Sequence, residues 1–373
     1  MDRASPRFHF VLDPRATRWG DIGGLDEDDI ARDPGRFCGG RNSWIAQSFL
    51  RLRRPIAARG WTATAGPGFP EGAICIAHRD DVDRFRMRAY ASFLVVVRAD
   101  RAPVQACDVA IVQNGLAPEA HERFLPLWPQ PGLLPREAAR GVRIERLAYL
   151  GRTAAVPPWF GDAGFRRALE RRGVQFEVRA RRWEDYRAVD LAIAARRELA
   201  AVLAQKPATK LYNGWLAGVP VLASPEPAYR ELRRRPLDFI EVHEPRDVLA
   251  AVDLLRANPA LYAAMVENGR ERGASFTVDS IRERWMALLG DEIVPRYLAS
   301  RATIGGRRAW FVCAMARQKV RSRAHRVRCH AQAWARALSL LPHVIAGGWG
   351  ARASLPAGEL ALRSGARLGG PRG

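Results

Sequence analysis

The chain has 373 residues, 48% of them hydrophobic, enough for two ordinary domains and an appendage. Lysine and arginine total 60 against 39 aspartates and glutamates, a net charge of +21 that calls for an anionic partner somewhere on the molecule. The five cysteines, Cys38, Cys75, Cys107, Cys313 and Cys329, are widely spaced and form no C-x-x-C pair, so neither a disulfide framework nor a thiolate zinc site is indicated. The start, Met1 to Pro6, lacks the apolar segment of a signal peptide, and no run reaches the roughly 18 apolar residues of a spanning helix. The expected location is the cytoplasm.

In chain order, short apolar runs alternate with turns and helical stretches. Residues 8–12 read as a first strand that Asp13-Pro14 ends; a glycine-rich polar loop follows over 20–41, then a helix over 42–54. Continuous apolar runs at 73–77, 93–97 and 109–112 suit parallel strands covered on both faces. Residues 125–135 hold too many prolines for either element and read as a stiff linker. A second series follows. Its strands are expected at 147–150, 174–178, 190–194, 219–223 and 239–242. Its helices are expected at 162–172 (capped by Asp162), 208–217 and 227–234, then at 245–257, 259–272 and 278–289. This alternation predicts the α/β class: two Rossmann-like, doubly wound domains facing a cleft, over 1–136 and 137–290, with a basic tail over 291–373.

Only Lys206, Lys210 and Lys319 are lysine; every other basic residue is arginine. A composition so biased erases ordinary surface lysines, so a pair kept four residues apart reads as needed in that form. A lysine ammonium is a compact charge with three rotatable donors, suited to a diphosphate. Both residues flank the start of the 208–217 helix, whose positive end would face phosphate. The plainer alternative is a chance surface pair or a helix cap.

The residues that follow narrow the choice. Leu216-Ala217-Gly218-Val219-Pro220-Val221 resembles the Ala-x-Gly-x-Pro-Val turn that closes the donor-binding segment of GT-B glycosyltransferases. Residues 128–133, 183–186 and 237–242 are similar to a bacterial branch of that group, and so is Asn258-Pro259-x-Leu261-Tyr262-x-x-Met265-x-x-Asn268-Gly269. Together these cover roughly residues 7–289. The resemblance implies the GT-B architecture and transfer of a sugar from a nucleotide-sugar donor to a cell-envelope, surface or lipid-linked glycan, with no cofactor. It implies a donor diphosphate on Lys206, Lys210 and Arg152. Where retaining members of the group place two glutamates, this chain has Gln205 and Asn213. Asn213, with Glu226, Tyr229 and Glu231 from the facing loop, would then hold the sugar or ribose.

The first domain is left to bind the acceptor. Gly39, Gly40, Arg41 and Asn42 end the long loop at the start of the first helix, a position that faces the cleft. His78 follows a strand and is the candidate general base or sugar contact, with a structural histidine as the alternative. Asp80-Asp81-x-Asp83 reads as a solvated acidic helix start and not a metal motif, so transfer without a metal is expected.

The tail carries fifteen Arg and Lys against three Asp and Glu. An initial helix after Gly290 is expected to pack back across both domains, and residues from 347 onward are expected to be disordered. A basic helix over 307–336, with Trp310, Phe311, Val320 and Trp334 interleaved, suits the anionic inner face of a membrane. No nucleic-acid motif is present, so no nucleic-acid partner is expected. A non-catalytic sugar- or nucleotide-binding relative of the same fold is the rival reading, because the two glutamates are missing.

Overall fold

The computed structural model describes residues 5–13, 17–84, 89–116, 119–300 and 307–346; the expectation of disorder from 347 onward falls outside them. Two all-parallel sheets organise the chain. The first contains β1 (Arg7–Val11), β2 (Thr62–Gly66), β3 (Ile74–His78), β4 (Phe93–Ala99), β5 (Val109–Val112) and β6 (Glu122–Phe124), in the order β2-β1-β3-β4-β5-β6. The second contains β7 (Arg146–Leu150), β8 (Gln175–Arg179), β9 (Leu191–Ala194), β10 (Val221–Ala223) and β11 (Ile240–Glu241), in the order β11-β10-β9-β7-β8. In each sheet the first strand has neighbours reached by crossovers in opposite directions. That reversal opens a crevice at the carboxyl ends of the strands, where ligands of open α/β sheets bind.

The apolar runs became strands because both faces of each sheet are covered: β3, β5 and β9 are buried along their whole length. Two strands lie outside the sequence-based expectation. β2, Thr-Ala-Thr-Ala-Gly, is an edge strand and partly exposed throughout, so it needs no bulky apolar run. β6, Glu-Arg-Phe, is the opposite edge and only three residues long.

Two short helices, Asp28–Arg32 and Pro34–Phe37, form within the expected loop, and the first long helix runs further than its proline suggests, over Arg41–Ala58 with Pro55 inside it. Proline has no N–H, so the carbonyl of Arg51, four residues earlier, loses its helical donor. Arg282 Nε supplies the replacement at 3.3 Å. That contact belongs to a larger return. The Val278–Leu288 helix places Ile281, Trp285 and Met286 in the core of the first domain with Phe10, Phe49 and Leu50, and Leu289, Ile293 and Tyr297 follow them there. The chain therefore crosses back before residue 290, and the helix assigned to the second domain packs on the first.

The tail is an ordered part of the fold over its described length. One helix spans Arg307–Ala346. Phe311 and Ala314 are buried in a cluster of the first domain with Val82, Leu94 and Val104. Gln318 Oε1 accepts from the backbone N–H groups of Gln105 at 2.9 Å and Ala106 at 3.3 Å, and Arg307 holds the Asp108 carboxylate at 2.8–3.0 Å. Further along, the helix reaches the second domain: Gln205 Nε2 lies 3.2 Å from His325 Nε2, and Gln332 Oε1 accepts from Ala201 N at 3.1 Å. The return across both domains expected of the tail is thus made by two successive segments.

Candidate active site

A cleft of about 510 Å³ lies between the sheets at the carboxyl ends of their strands. β3 delivers His78, β4 delivers Asp100 and Arg101, β7 delivers Gly151 and Arg152, and β9 delivers Arg196 and Glu198. The loop before the first helix contributes Gly39, Gly40 and Arg41, and the Thr209–Leu216 helix contributes Lys210 and Asn213. The size is that of a small-ligand site, and the position is the one the fold reserves for ligands.

On the second-domain wall, Lys210 projects from the first turn of its helix. Its ammonium donates to the carbonyl of Leu150 and sits 4.1 Å from the centre of the Tyr149 ring. Gly151 makes room for it, since a Cβ there would overlap the ammonium. Burial, and then the neighbouring Arg196, pull the Lys210 pKa down to about 7. Arg152 lies at the exposed rim of the same wall. Lys206 lines the cleft as well, but it bridges the domains, 2.9 Å from Asp100 and 3.1 Å from Glu198. A diphosphate at Lys206 would compete with two carboxylates.

Behind this wall Arg196 forms a buried ion pair with Glu226, whose other oxygen accepts from Ser224 Oγ at 3.0 Å. The guanidinium also lies 5.8 Å from the Tyr229 ring centre. Burial raises the Glu226 pKa, against the pull of Arg196. Glu226 is wholly enclosed and Tyr229 belongs to the second-domain core, and neither lines the cleft. Glu231 accepts from Gly115 N at 2.8 Å, a contact between domains away from the cleft lining. The expectation that these three side chains hold sugar or ribose is therefore corrected: the turn after β10 and the Pro227–Leu232 helix that follows make them core and interdomain contacts. Asn213 does line the cleft, but its Oδ1 accepts from Gln130 N at 3.2 Å. Gln205 bonds the carbonyl of Ala201 at 2.9 Å. The two positions without glutamate thus both serve local structure.

On the first-domain wall, Arg41 is fixed by Asp13 and, at 3.1 Å, by Asp81. Asp81 is fully buried, which corrects the reading of this acidic stretch as solvated. Gly39 and Gly40 have φ of 70° and 80°, and nothing lies within 4 Å of a Cβ at either, so bare backbone faces the open cleft. Asn42 turns away and accepts from Asp13 N at 3.5 Å.

His78 is 2% exposed, and its Nδ1 accepts from the backbone N–H of Asp80 at 3.1 Å. That bond puts the ring proton on Nε2. Burial holds its pKa down at about 4, with Asp80 opposing. A ring with its proton already on Nε2 and so low a pKa is a hydrogen-bond donor at neutral pH and a poor base, which corrects the general-base expectation. The unfolded chain, with its histidine near 6.5, binds the proton more readily. This contribution to stability is complete above pH 6.5 and is lost as pH falls toward about 4. We expect His78→Gln to remove about 3 kcal/mol of the acid-side loss, read by urea unfolding at pH 7 and at the acid end of that window.

Several cleft residues were not singled out as site residues by the sequence. Glu198 has one oxygen on Lys206 and the other, Oε2, buried without a hydrogen-bond partner. Trp183 lines the cleft with its indole N–H likewise buried and unpartnered. Position after β9, at a carboxyl strand end, was the one available signal for Arg196 and Glu198. Among the described residues no group of three or more His, Cys, Asp or Glu is arranged to hold a metal ion.

Two facing parallel α/β domains, a cleft at their strand ends and C-terminal helices that cross back are the GT-B fold. Among solved structures, the chain aligns with sucrose-phosphate synthase from Thermosynechococcus elongatus at a TM-score of 0.50 and 13% identity, over 79% of this chain and 100% of that one. It aligns with HepE from Anabaena, solved with UDP and glucose, at 0.45 and 12%, over 77% and 99% of the two chains. With TarM the values are 0.44 and 10%, and the match spans 55% of the TarM chain and 59% of this one. No family model matches the sequence, and no curated protein matches it.

Proposed function

We propose that the protein is a glycosyltransferase that moves a sugar from a nucleotide-sugar donor on the second domain to a glycan or lipid-linked acceptor of the cell envelope on the first, without a metal. The observation that carries this reading is the convergence of Lys210 and Arg152 on one wall of a two-sided cleft at the strand ends. Cleaving a nucleotide-sugar bond releases a diphosphate whose negative charge grows along the reaction. Cations already in place stabilise that charge more in the transition state than in the ground state. The opposite wall offers bare backbone at Gly39 and Gly40, the fixed guanidinium of Arg41 and the Nε2–H of His78, a set suited to hydroxyl groups of an acceptor sugar. Trp44 and Trp183 line the same cleft and provide flat apolar surface for sugar rings. The sucrose-phosphate synthase likeness supports the fold of this reading. The protein would act in the cytoplasm, on the inner side of the envelope.

The test is calorimetry and thermal shift with UDP, GDP and their sugar conjugates, followed by an assay for released nucleoside diphosphate with envelope glycans present. At least one nucleoside diphosphate is expected to bind and to raise the melting temperature, as a ligand of the folded state alone must. If none of the nucleotides or nucleotide sugars binds, the reading fails. Binding with no turnover would favour a non-catalytic relative, which the uncharged amides of Gln205 and Asn213 already bring into view.

A further inference from the structure

The Arg307–Ala346 helix uses one face to grip the two domains and leaves the other uncovered. Phe311, which the sequence placed among the membrane-facing aromatics, belongs to the gripping face and is buried. The residues left outside form a different pattern. Val320, Val327 and Trp334 recur every seventh position and are 66%, 67% and 69% exposed. At 3.6 residues per turn they make one stripe, opposite the side that holds Phe311 and Gln318. Cys313, also exposed, extends the stripe by one further seven-residue step toward the start of the helix. On the same helical wheel Arg317 and Arg328 fall on one side of the stripe, and Lys319 and Arg323 on the other, all exposed. No aspartate or glutamate occurs anywhere in residues 307–346.

We propose that this outward face lies on an anionic lipid bilayer, with Val320, Val327 and Trp334 in the apolar boundary and the flanking cations at headgroup level. The inference does not depend on the chemistry assigned to the cleft. Charge complementarity selects the occupant. A second copy of the helix would set arginines against arginines with no acid to pair them. A nucleic acid would match the cations but leave the valines and the tryptophan wet or against phosphate. A bilayer with anionic headgroups satisfies both parts at once, as surface-lying amphipathic helices do. No single helix among the described residues is long and apolar enough to cross a membrane, so the helix lies on the surface. Because its inner face holds both domains, the whole two-domain body is carried with it.

The experiment is flotation of the full chain with vesicles of phosphatidylcholine alone and of phosphatidylcholine mixed with phosphatidylserine, at low and high salt. The protein should float with the mixed vesicles at low salt and stay down with the neutral ones. A Val320→Glu/Val327→Glu variant changes only exposed positions. It should keep the parent's melting temperature while losing most of the flotation. Absence of flotation with the mixed vesicles overturns the proposal. So does a variant that floats as well as the parent, since charge alone would then explain the binding. Retention on duplex DNA that matches vesicle binding and ignores the two substitutions would assign the face to nucleic acid instead. Melting temperature and nucleotide binding are read separately, so a failure here is distinct from a failure of the transferase reading.

Discussion

Replacing Glu226 with alanine should destabilise the protein by about 3–5 kcal/mol, among the largest effects of any single change near the cleft. The carboxylate is fully enclosed and holds Arg196 and Ser224. Arg196 is itself almost wholly buried, with the ring of Tyr229 at 5.8 Å. Removing the acid strands a guanidinium that is largely cut off from water and cannot lose its proton, and much of its desolvation then goes unrecovered. The double change Arg196→Met/Glu226→Met removes both charges and should recover most of the loss, because a buried pair exchanged for apolar groups of similar size is near neutral. Urea unfolding of the parent and the two variants decides it. Equal losses in the single and double variants would mean that packing, and not the stranded charge, sets the cost.

Lys210→Met should weaken nucleoside-diphosphate binding roughly five- to 150-fold, equivalent to about 1–3 kcal/mol for a charge-assisted contact. Methionine keeps the stem that packs beneath Gly151 and removes only the ammonium. The pH dependence supplies an independent signature. Burial and Arg196 hold the Lys210 pKa near 7, and a diphosphate beside it would raise that value. Between the two values the complex carries more proton than the free protein. Affinity is therefore at its full value below pH 7 and falls as pH rises through and above it. Calorimetry across that range should show the slope in the parent and a flatter one in Lys210→Met. Unchanged affinity and slope would make Lys210 a structural strut between its helix and β7.

The parts of this architecture that were legible in the sequence share a physical cause. β3, β4, β5, β7 and β9 bury both faces, so each must be written as an unbroken apolar run that nothing else explains as simply. Lys206 and Lys210 stood out only against an arginine background, and both do line the cleft. What was hidden depends on partners distant in the chain. Glu226 and Glu231 look like any loop acids until Arg196 and Gly115 are brought to them. Asp81 looks solvated until the first helix delivers Arg41. Pro55 reads as a helix stop unless a side chain from residue 282 replaces the missing donor. Among its described residues the tail helix buries only Phe311, Ala314 and the amide of Gln318, too little apolar pattern to separate an anchored helix from a solvated one.

The return of the chain after the second domain also governs the order in which the molecule can be made. Strands β1 to β6 leave the ribosome early, yet Ile281, Trp285, Leu289 and Ile293, which seal one side of their sheet, are synthesised only after the entire second domain. Throughout that interval the nascent first half presents a raw apolar surface, which chaperones or the wrong half of another molecule can occupy. A fragment ending at residue 136 would carry that surface permanently. The second half, whose clusters close between Ile144 and Phe276, has no such debt to later residues and can mature while the rest is still being translated.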